Sequence, residues 1–91
     1  MKYTAKPTTQ FKKDLKKAQK RGYDLELLKY VIKKLSDGET LDEKYKDHPL
    51  IENYSNRREC HIQPDWLLIY QIVESDLILV LTRTGTHSDL F

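Results

Sequence analysis

The spacing of apolar residues changes near residue 57, and this change limits the folds that the chain can adopt. Before this point, apolar residues recur every three or four positions among charged ones, which is the period of an amphipathic helix. After it, they alternate or run continuously and are rich in β-branched and aromatic types, which is typical of strands. Helices followed by strands within 91 residues predict one α+β domain spanning residues 1–91.

Two helices are predicted in the first half, because cap residues and glycines bracket two amphipathic segments. They run from Thr8 or Thr9 to about Arg21 and from Leu25 to about Ser36. Asp24 can cap the second helix, while Gly22 and Gly38 stand where the helices should stop. The short connection between them predicts a helical hairpin.

Three strands joined by short turns are predicted in the second half, at Arg58–Ile62, Trp66–Val73 and Leu77–Thr82. The short turns favour an antiparallel meander, and residues 2–6 can add an N-terminal edge strand. Residues 39–56 have no clear period and are interpreted as a loop with one helical turn at most. The predicted architecture is therefore α+β, with an N-terminal helical hairpin packed on a small, mostly antiparallel sheet.

Charge is divided unevenly along the chain. Residues 1–47 carry 13 Lys and Arg against 8 Asp and Glu, whereas residues 48–91 carry 3 against 6. Every lysine lies at or before Lys46, and every histidine lies at or after His48. One half can attract a polyanion such as RNA, and the other half offers groups that can process it.

The cysteine content and the apolar segments bear on the compartment. Cys60 is the single cysteine, so no internal disulfide can form, which suits a reducing compartment. The first 17 residues are too charged for a signal peptide, and the stretch Trp66–Val73 is too short to span a membrane. We expect a cytoplasmic protein without membrane association. Because neighbouring strand residues point to opposite faces, we expect Cys60 in the core and unpaired with His61.

A basic face follows from the period of the first predicted helix. Phe11, Leu15 and Ala18 form a narrow apolar stripe, and the opposite side is rich in lysine. These lysines are Lys12, Lys13, Lys16, Lys17 and Lys20. We predict that this face contacts RNA phosphates. The alternatives are that it is only solvated or that it binds an acidic protein.

Cleaving RNA without a metal requires a base for the 2′-OH, an acid for the leaving 5′-oxygen and a cation for the charge on phosphorus. Histidine suits the first two roles near neutral pH, and arginine suits the third. The second half offers His48, His61, Asp65, Arg83 and His87. In the predicted meander, all of these except His48 should meet at one end of the sheet.

Each of these residues also has a simpler interpretation. A single histidine is more often a surface or partly buried residue than a catalyst, and Asp65 after Pro64 is an ordinary turn residue. A His/Asp cluster can also bind metal, but the histidine spacings of 13 and 26 match no zinc-site pattern. We expect no metal and no cofactor. Trp66 is expected in the core, whereas Phe91 lies outside the strand period and can stack on a base.

Three ordered segments resemble the YafQ-type toxins, which belong to the RelE superfamily of bacterial toxin–antitoxin systems. The segments are Tyr45–Leu50 (Y-K-D-H-P-L), Arg58–Trp66 (R-E-C-H-I-Q-P-D-W) and Arg83–His87 (R-T-G-T-H), which runs on to Leu90 and Phe91. The helical part is similar too, so the likeness covers nearly the whole chain. Relatives centred on RelE itself rely on Lys and Arg, and no lysine follows Lys46, which places the resemblance on the YafQ side.

The resemblance implies a RelE-like microbial-RNase fold and a ribosome-dependent mRNA endonuclease that a cognate antitoxin inhibits. It implies acid–base roles for His48, His61, Asp65 and His87, phosphate stabilisation by Arg83, and substrate placement by Trp66 and Phe91. The implied partners are the antitoxin, the ribosome and mRNA, with operator DNA only for the toxin–antitoxin complex. Two alternatives stay open: a non-catalytic RNA- or ribosome-binding module, and a DNA-binding co-repressor acting with its antitoxin.

Overall fold

The computed structural model describes residues 1–51 and 54–91 and confirms the predicted α+β architecture. In chain order its elements are β1 (Thr4–Pro7), α1 (Thr9–Lys20), α2 (Leu25–Ser36), β2 (His48–Pro49), β3 (Arg58–Gln63), β4 (Trp66–Val73), β5 (Ile78–Gly85) and α3 (His87–Leu90). Short 3₁₀ turns lie at Glu43–Tyr45 and Glu74–Asp76. Within the described residues, no helix combines the length and apolar character needed to cross a membrane.

The five strands form one sheet in the order β1-β5-β4-β3-β2. Strand β4 pairs antiparallel with β3 and with β5, which confirms the predicted meander, and β2 adds an antiparallel neighbour beside β3. Strand β1 lies parallel to β5 at the edge, which confirms that the N-terminal segment joins the sheet. The sheet is therefore mixed, with one parallel pair.

Local hydrogen bonds explain where the two long helices begin and end. The Thr8 hydroxyl accepts the N–H of Phe11, and the Asp24 carboxylate accepts that of Glu26. Gly22 and Gly38 follow the helices with φ values of 78° and 77°, which favour glycine. These boundaries agree with the predicted ones to within a residue or two.

The two faces of the sheet have different surroundings. On the helix face, α1 packs on β5 and α2 contacts β1 and β3, over a core that includes Trp66, Leu68 and Tyr70 of β4. The alternate residues Leu67 and Ile69 point to the other side, which we call the second face. Cys60 is fully buried and belongs to the core on the helix face, as predicted, and burial raises the pKa of its thiol.

Strand β2 and the length of β5 differ from the predictions. His48 and Pro49 form a two-residue strand within the predicted loop of residues 39–56, of which 52 and 53 lie outside the described residues. Strand β5 continues to Gly85 because it pairs with β4 as far as Leu67, and α1 satisfies part of its other edge beyond β1. The Asp14 carboxylate accepts the backbone N–H of Thr84 at 3.2 Å.

His87 begins a short helix and does not lie in a loop as predicted. Thr86 caps this helix by accepting the N–H of Asp89, while the Asp89 carboxylate accepts the N–H of Thr86. Such a reciprocal capping box satisfies backbone donors that a helix of four residues would otherwise leave unpaired.

Candidate active site

An apolar patch occupies the centre of the second face. It consists of Leu67 and Ile69 of β4, covered by Leu90 of α3, with Leu50 and Tyr54 packed at its margin. Polar side chains from β2, β3 and β5 and from α3 lie around this patch. The patch therefore forms the floor of a site with chemically active groups on its sides.

One row of residues that are paired across β3, β4 and β5 has a polar residue on each side of the floor. Glu59 of β3 lies opposite Ile69, and Ile69 lies opposite Arg83 of β5. Residues paired across neighbouring strands share a face. Because neighbouring strands lie about 4.8 Å apart, Glu59 and Arg83 are separated by roughly 10 Å across the floor.

The next row brings two histidines to the same end of the sheet. His61 lies opposite Leu67, and Leu67 lies opposite Gly85, which precedes His87 by two residues. The structure thus brings His61, Arg83 and His87 to a common end, as the meander predicted.

Glu59 lies between two histidines on the β3 side. Its Oε1 atom is 3.4 Å from Nε2 of His48 and 3.6 Å from Nε2 of His61. The two ring centroids are 6.4 Å apart. The Glu59 side chain is 9% exposed, whereas those of His48 and His61 are 46% and 24% exposed. A nearly buried carboxylate therefore faces two accessible imidazoles, which we call the His48–Glu59–His61 cluster.

Backbone carbonyls determine which ring nitrogen of each histidine carries a proton. His48 Nδ1 is 2.6 Å from the carbonyl oxygen of Lys46, and His61 Nδ1 is 3.3 Å from that of Pro64. A carbonyl oxygen only accepts hydrogen bonds, so Nδ1 is the N–H in both contacts. Nε2 of each ring is left to exchange a proton with Glu59 or with a substrate.

Arg83 is held by a buried carboxylate of α1. Its Nε and one terminal nitrogen donate to the two oxygens of Asp14, at 3.0 and 2.9 Å. The Asp14 side chain is 6% exposed and that of Arg83 is 25% exposed. The hydrogen bonds that Arg83 donates to Asp14 raise the pKa of Arg83, and the Tyr54 hydroxyl adds to this effect. The guanidinium is therefore a fixed cation that keeps part of its surface accessible.

Aromatic rings form the wall beside α3. The His87 ring stacks on Phe91, with centroids 4.8 Å apart and planes inclined by 29°. Phe91 meets the Tyr54 ring edge-on at 5.4 Å, and the Tyr54 hydroxyl donates to the carbonyl of Leu90. His87 and Phe91 are both exposed, so this wall can receive a base as well as deliver a proton.

Asp89 attaches α3 to α1. Its carboxylate accepts two hydrogen bonds from the Arg21 guanidinium, at 2.6 and 3.1 Å, and one from Lys17 at 3.2 Å. The Arg21 bonds and the Thr86 N–H hold the pKa of Asp89 well below its usual range. Because Lys17 contacts Asp89, it is not free for RNA in the way that the sequence predicted for all five lysines.

We expect Asp89→Asn to lower the free energy of unfolding at pH 7 by about 1 kcal/mol, the usual size of a capping interaction, because Asp89 completes the capping box with Thr86. The pKa of Asp89 is lower in the folded state, so its contribution is present above the unfolded value of about 3.9 and disappears as pH falls. Urea unfolding at pH 7 and pH 3 should therefore show a smaller difference between variant and wild type at pH 3.

The matched control for this prediction is Asp37→Asn, which removes an ion pair with Lys33 at 3.0 Å on the surface of α2. Surface pairs of this kind contribute about 0.2–1 kcal/mol. An Asp89→Asn effect no larger than that of Asp37→Asn, or one independent of pH, would contradict the role of Asp89 in attaching α3.

The remaining predicted residues lie in the core on the helix face, in the β3–β4 turn and on α1. Trp66 is 1% exposed on the helix face, where its indole N–H donates to the hydroxyl of Thr84. This position confirms the core prediction and limits any role in substrate placement to an indirect one through Thr84. Asp65 is exposed in the β3–β4 turn, and no hydrogen bond within residues 1–51 and 54–91 connects it to the histidines. All five predicted lysines of α1 are exposed, and Lys17 alone among them has a carboxylate partner within the described residues, Asp89; the other four are Lys12, Lys13, Lys16 and Lys20.

The sequence prediction missed three carboxylates that organise the site. Glu59 shares the period-two alternation of His61 along β3, which places both on one face, so this signal was present in the sequence. Asp89 stands three residues after Thr86, which is the spacing of a capping box. Asp14 offered no local signal, because its partner Arg83 is 69 residues away in the chain.

The arrangement supplies proton-transfer groups on both sides of an apolar floor and a cation at its edge. The side of β3 has one carboxylate and two imidazoles, and the opposite side has His87. The planar guanidinium of Arg83 is suited to donate two parallel hydrogen bonds to a phosphate. No group of three or more His, Cys, Asp and Glu side chains is arranged around a metal position in the described part of the chain.

Comparison with known proteins identifies the family. Residues 3–91 match the sequence model of a family described as the bacterial toxin of type II toxin–antitoxin system, YafQ. The chain is 46% identical over 83 residues to the mRNA interferase toxin YafQ of Escherichia coli strain B / BL21-DE3. This alignment covers 90% of this chain and 88% of that protein.

Solved structures are similar over the same extent. A metal-bound toxin from Helicobacter pylori superposes with a TM-score of 0.93 and 46% identity, over 98% of this chain and 99% of that one. The toxin chain of the E. coli DinJ–YafQ toxin–antitoxin complex superposes with a TM-score of 0.88 and 40% identity, over 100% and 99%. In both cases the similarity covers nearly the whole of the two chains.

Proposed function

The chain belongs to the YafQ family of bacterial toxins of type II toxin–antitoxin systems, and we propose that it is a cytoplasmic mRNA interferase that cleaves ribosome-bound mRNA without a metal. The observation that carries this proposal is the apolar floor with the His48–Glu59–His61 cluster on one side and Arg83 and His87 on the other. A binding module has no need of proton-transfer groups on both sides of one site.

The base in this proposal is the His48–Glu59–His61 cluster. The 2′-OH gives its proton to Nε2 of a histidine in the cluster, or to Glu59, and the 2′-oxygen attacks phosphorus. The proton is then shared among the three groups of the cluster, because Glu59 Oε1 lies 3.4 Å from one Nε2 atom and 3.6 Å from the other. This sharing spreads the positive charge. Both Nδ1 atoms donate to backbone carbonyls, so the rings are already oriented for this transfer.

The acid in this proposal is His87, and Arg83 stabilises the charge on phosphorus. The P–O5′ bond breaks as His87 gives a proton to the leaving 5′-oxygen, which yields a 2′,3′-cyclic phosphate and a 5′-OH. Asp14 holds the guanidinium of Arg83 in place before the substrate arrives, so that little reorganisation is needed. Phe91 stacks on the His87 ring and presents an exposed face to a base.

A cognate antitoxin is the proposed protein partner, supported by the solved complex of the E. coli relative with DinJ. Operator DNA belongs to this proposal only as a ligand of the toxin–antitoxin complex. A site that must cut cellular mRNA needs such an inhibitor, because the free chain would stop translation in its own host. The alternative of a co-repressor without catalysis makes no use of the groups around the floor.

Purified protein tests the proposal directly. We expect wild type to cut an mRNA in programmed ribosomes, to leave a 2′,3′-cyclic phosphate, and to cut the same mRNA far more slowly without ribosomes. Primer extension locates the cut, and phosphatase treatment with and without acid identifies the end group. Binding to ribosomes without any cleavage would favour the non-catalytic module instead.

We expect chelators to leave the chemical step intact, because the proton-transfer groups and Arg83 provide every role that a metal would take. The solved structure of a similar toxin from H. pylori is described as metal-bound, which gives a reason to test the effect of metal on this chain. Cleavage of a short RNA by concentrated protein, measured with and without EDTA, separates this effect from the Mg²⁺ that ribosomes require. Loss of cleavage in EDTA, restored by one divalent ion, would contradict the prediction.

We expect the basic face of α1 to supply affinity for the ribosome. Lys12 and Lys16 are exposed, so Lys12→Gln with Lys16→Gln should remove two phosphate contacts. The log–log salt dependence of ribosome binding should then flatten by roughly one to two units, with the bound complex still able to cut. Lys29→Gln with Lys33→Gln, on α2, is the matched control; an equal effect there would mean that the lysines of α1 are only solvated.

A further inference from the structure

A cleft of about 410 Å³ opens beside His61, on the side of β3 away from Arg83. The turn before β2 forms one wall, and the end of β3 with the N-terminal part of α2 forms the other. Besides His61, the lining residues that matter here are Leu27, Lys44, Tyr45, Lys46 and Gln63. The cleft is therefore continuous with the proposed active site at His61.

The cleft exists because strand β2 is short. It pairs only with Arg58 and Glu59, so among residues 1–51 and 54–91 no strand pairs with β3 on that side from Cys60 onward. The chain turns away at Lys46, which has left-handed backbone angles of φ 50° and ψ 43°. The 3₁₀ turn at Glu43–Tyr45 then flanks β3 without pairing with it.

The charge of the cleft selects an anion. Lys44 and Lys46 are exposed at its wall, and within residues 1–51 and 54–91 no carboxylate lies at ion-pair distance from either ammonium. The lysines of α2 differ, since each has a carboxylate partner: Lys29 with Glu26, Lys33 with Asp37 and Lys34 with Glu39. Two unpaired cations beside a cleft favour a ligand with negative charge.

The remaining lining suits a nucleobase. The ring of Tyr45 is half-buried against Tyr30 at 6.5 Å, and the Lys44 ammonium lies 5.3 Å from its centroid. Leu27 adds an apolar side chain that is 38% exposed. The exposed Gln63 amide offers both a donor and an acceptor for a base edge. Aromatic, apolar and amide groups together provide what a stacked base requires.

We propose that this cleft is a nucleotide subsite, which holds the RNA residue next to the scissile phosphate. The base enters between Tyr45 and Leu27, Gln63 contacts its edge, and Lys44 and Lys46 bind its phosphates. This inference rests on the proposed function, because His61 links the cleft to the reacting phosphate. An acidic protein segment could satisfy the two lysines but would leave the base-sized apolar lining unused, so RNA is the better match.

The test uses the full chain and a trinucleotide that carries a 2′-deoxy sugar at the scissile position and cannot be cut. We expect Lys44→Gln with Lys46→Gln to weaken its binding by about 5- to 10-fold, measured by fluorescence anisotropy, and to raise the KM for cleavage similarly. The kcat should stay within about twofold of wild type, because the lysine side chains do not touch the reacting atoms and the substitution keeps the Lys46 carbonyl that orients His48. Gln63→Ala should change which base is preferred beside the cut.

Two further variants control for misfolding and for the loss of positive charge elsewhere on the surface. Lys46→Gly with Lys44→Gln removes the same charges with a residue that prefers the left-handed backbone angles, which guards against misfolding at this turn. Lys29→Gln with Lys33→Gln removes two lysines that already have partners and should leave trinucleotide binding unchanged. Circular dichroism checks that all variants are folded.

The outcomes separate this inference from the proposed function. If wild type cuts RNA and His61→Ala does not, but both cleft variants bind and cut like wild type, the subsite is wrong and the function stands. If the cleft variants keep their KM for RNA and lose affinity for an acidic peptide, the cleft binds protein, and the inference is overturned. If wild type cuts no RNA on ribosomes, the proposed function itself fails.

Discussion

His87→Ala is expected to slow single-turnover cleavage of ribosome-bound mRNA by about 10²–10⁴-fold, the usual contribution of a general acid. It should also relieve the growth arrest that we expect wild type to cause on induction in bacteria. The ring is exposed at the start of α3 and stacks on Phe91, so its removal should cost little stability. Cleavage kinetics and mRNA integrity in induced cells measure both effects.

Ser88→Ala is the matched control for this prediction, because Ser88 is the exposed neighbour in the same short helix. It should leave cleavage and toxicity unchanged. Added imidazole should restore part of the activity of His87→Ala, which a change in α3 packing would not permit. A His87→Ala protein that is folded by circular dichroism and still fully toxic would remove His87 from the mechanism.

Arg83→Ala is expected to reduce the cleavage rate by about 10²–10³-fold while ribosome binding persists, by analogy with the loss of one oxyanion donor. The phosphorus centre gains negative charge in the transition state, and the guanidinium is the cation at that edge of the floor. Binding at equilibrium and single-turnover cleavage, measured separately, distinguish this effect from a loss of affinity. A variant that binds poorly but cuts normally once bound would contradict it.

Asp14→Asn tests whether the Asp14 carboxylate holds the Arg83 guanidinium in place. The amide can no longer hold Arg83 through two charged contacts, so we expect an intermediate loss of rate, about 10-fold. Arg58→Ala is the matched control, since Arg58 also contacts a carboxylate, that of Asp47, but from the helix-face side of β3. It should leave the rate within about twofold of wild type.

The two halves of the site depend on different parts of the fold. The His48–Glu59–His61 cluster belongs to β2 and β3 and is oriented by nearby backbone carbonyls. Arg83 and His87 depend on α1, through Asp14 and through the Arg21 bonds to Asp89. Mutations in α1 should therefore impair the acid and the phosphate-binding groups before they affect the base.

Local features of the sequence determined the helices, the meander and the common end of His61, Arg83 and His87. Helix ends depend on caps and glycines a few residues apart, such as Asp24 and Gly22, and these can be read without the fold. Strands joined by short turns have few ways to pair, so the meander follows from their spacing. Alternation along β3 also contained the position of Glu59 beside His61.

Tertiary structure alone decided the contacts between α1 and the second half of the chain. Asp14 meets Arg83 across 69 residues, and Lys17 meets Asp89 across 72. These pairs exist because α1 packs along the edge of β5 that β1 leaves uncovered, and nothing in the local sequence records that packing. The same packing gives the Thr84 N–H of β5 an acceptor in Asp14 and pairs Lys17 with Asp89. Pairing between distant charges depends on where the hydrophobic core places their elements, and local periodicity carries no information about it.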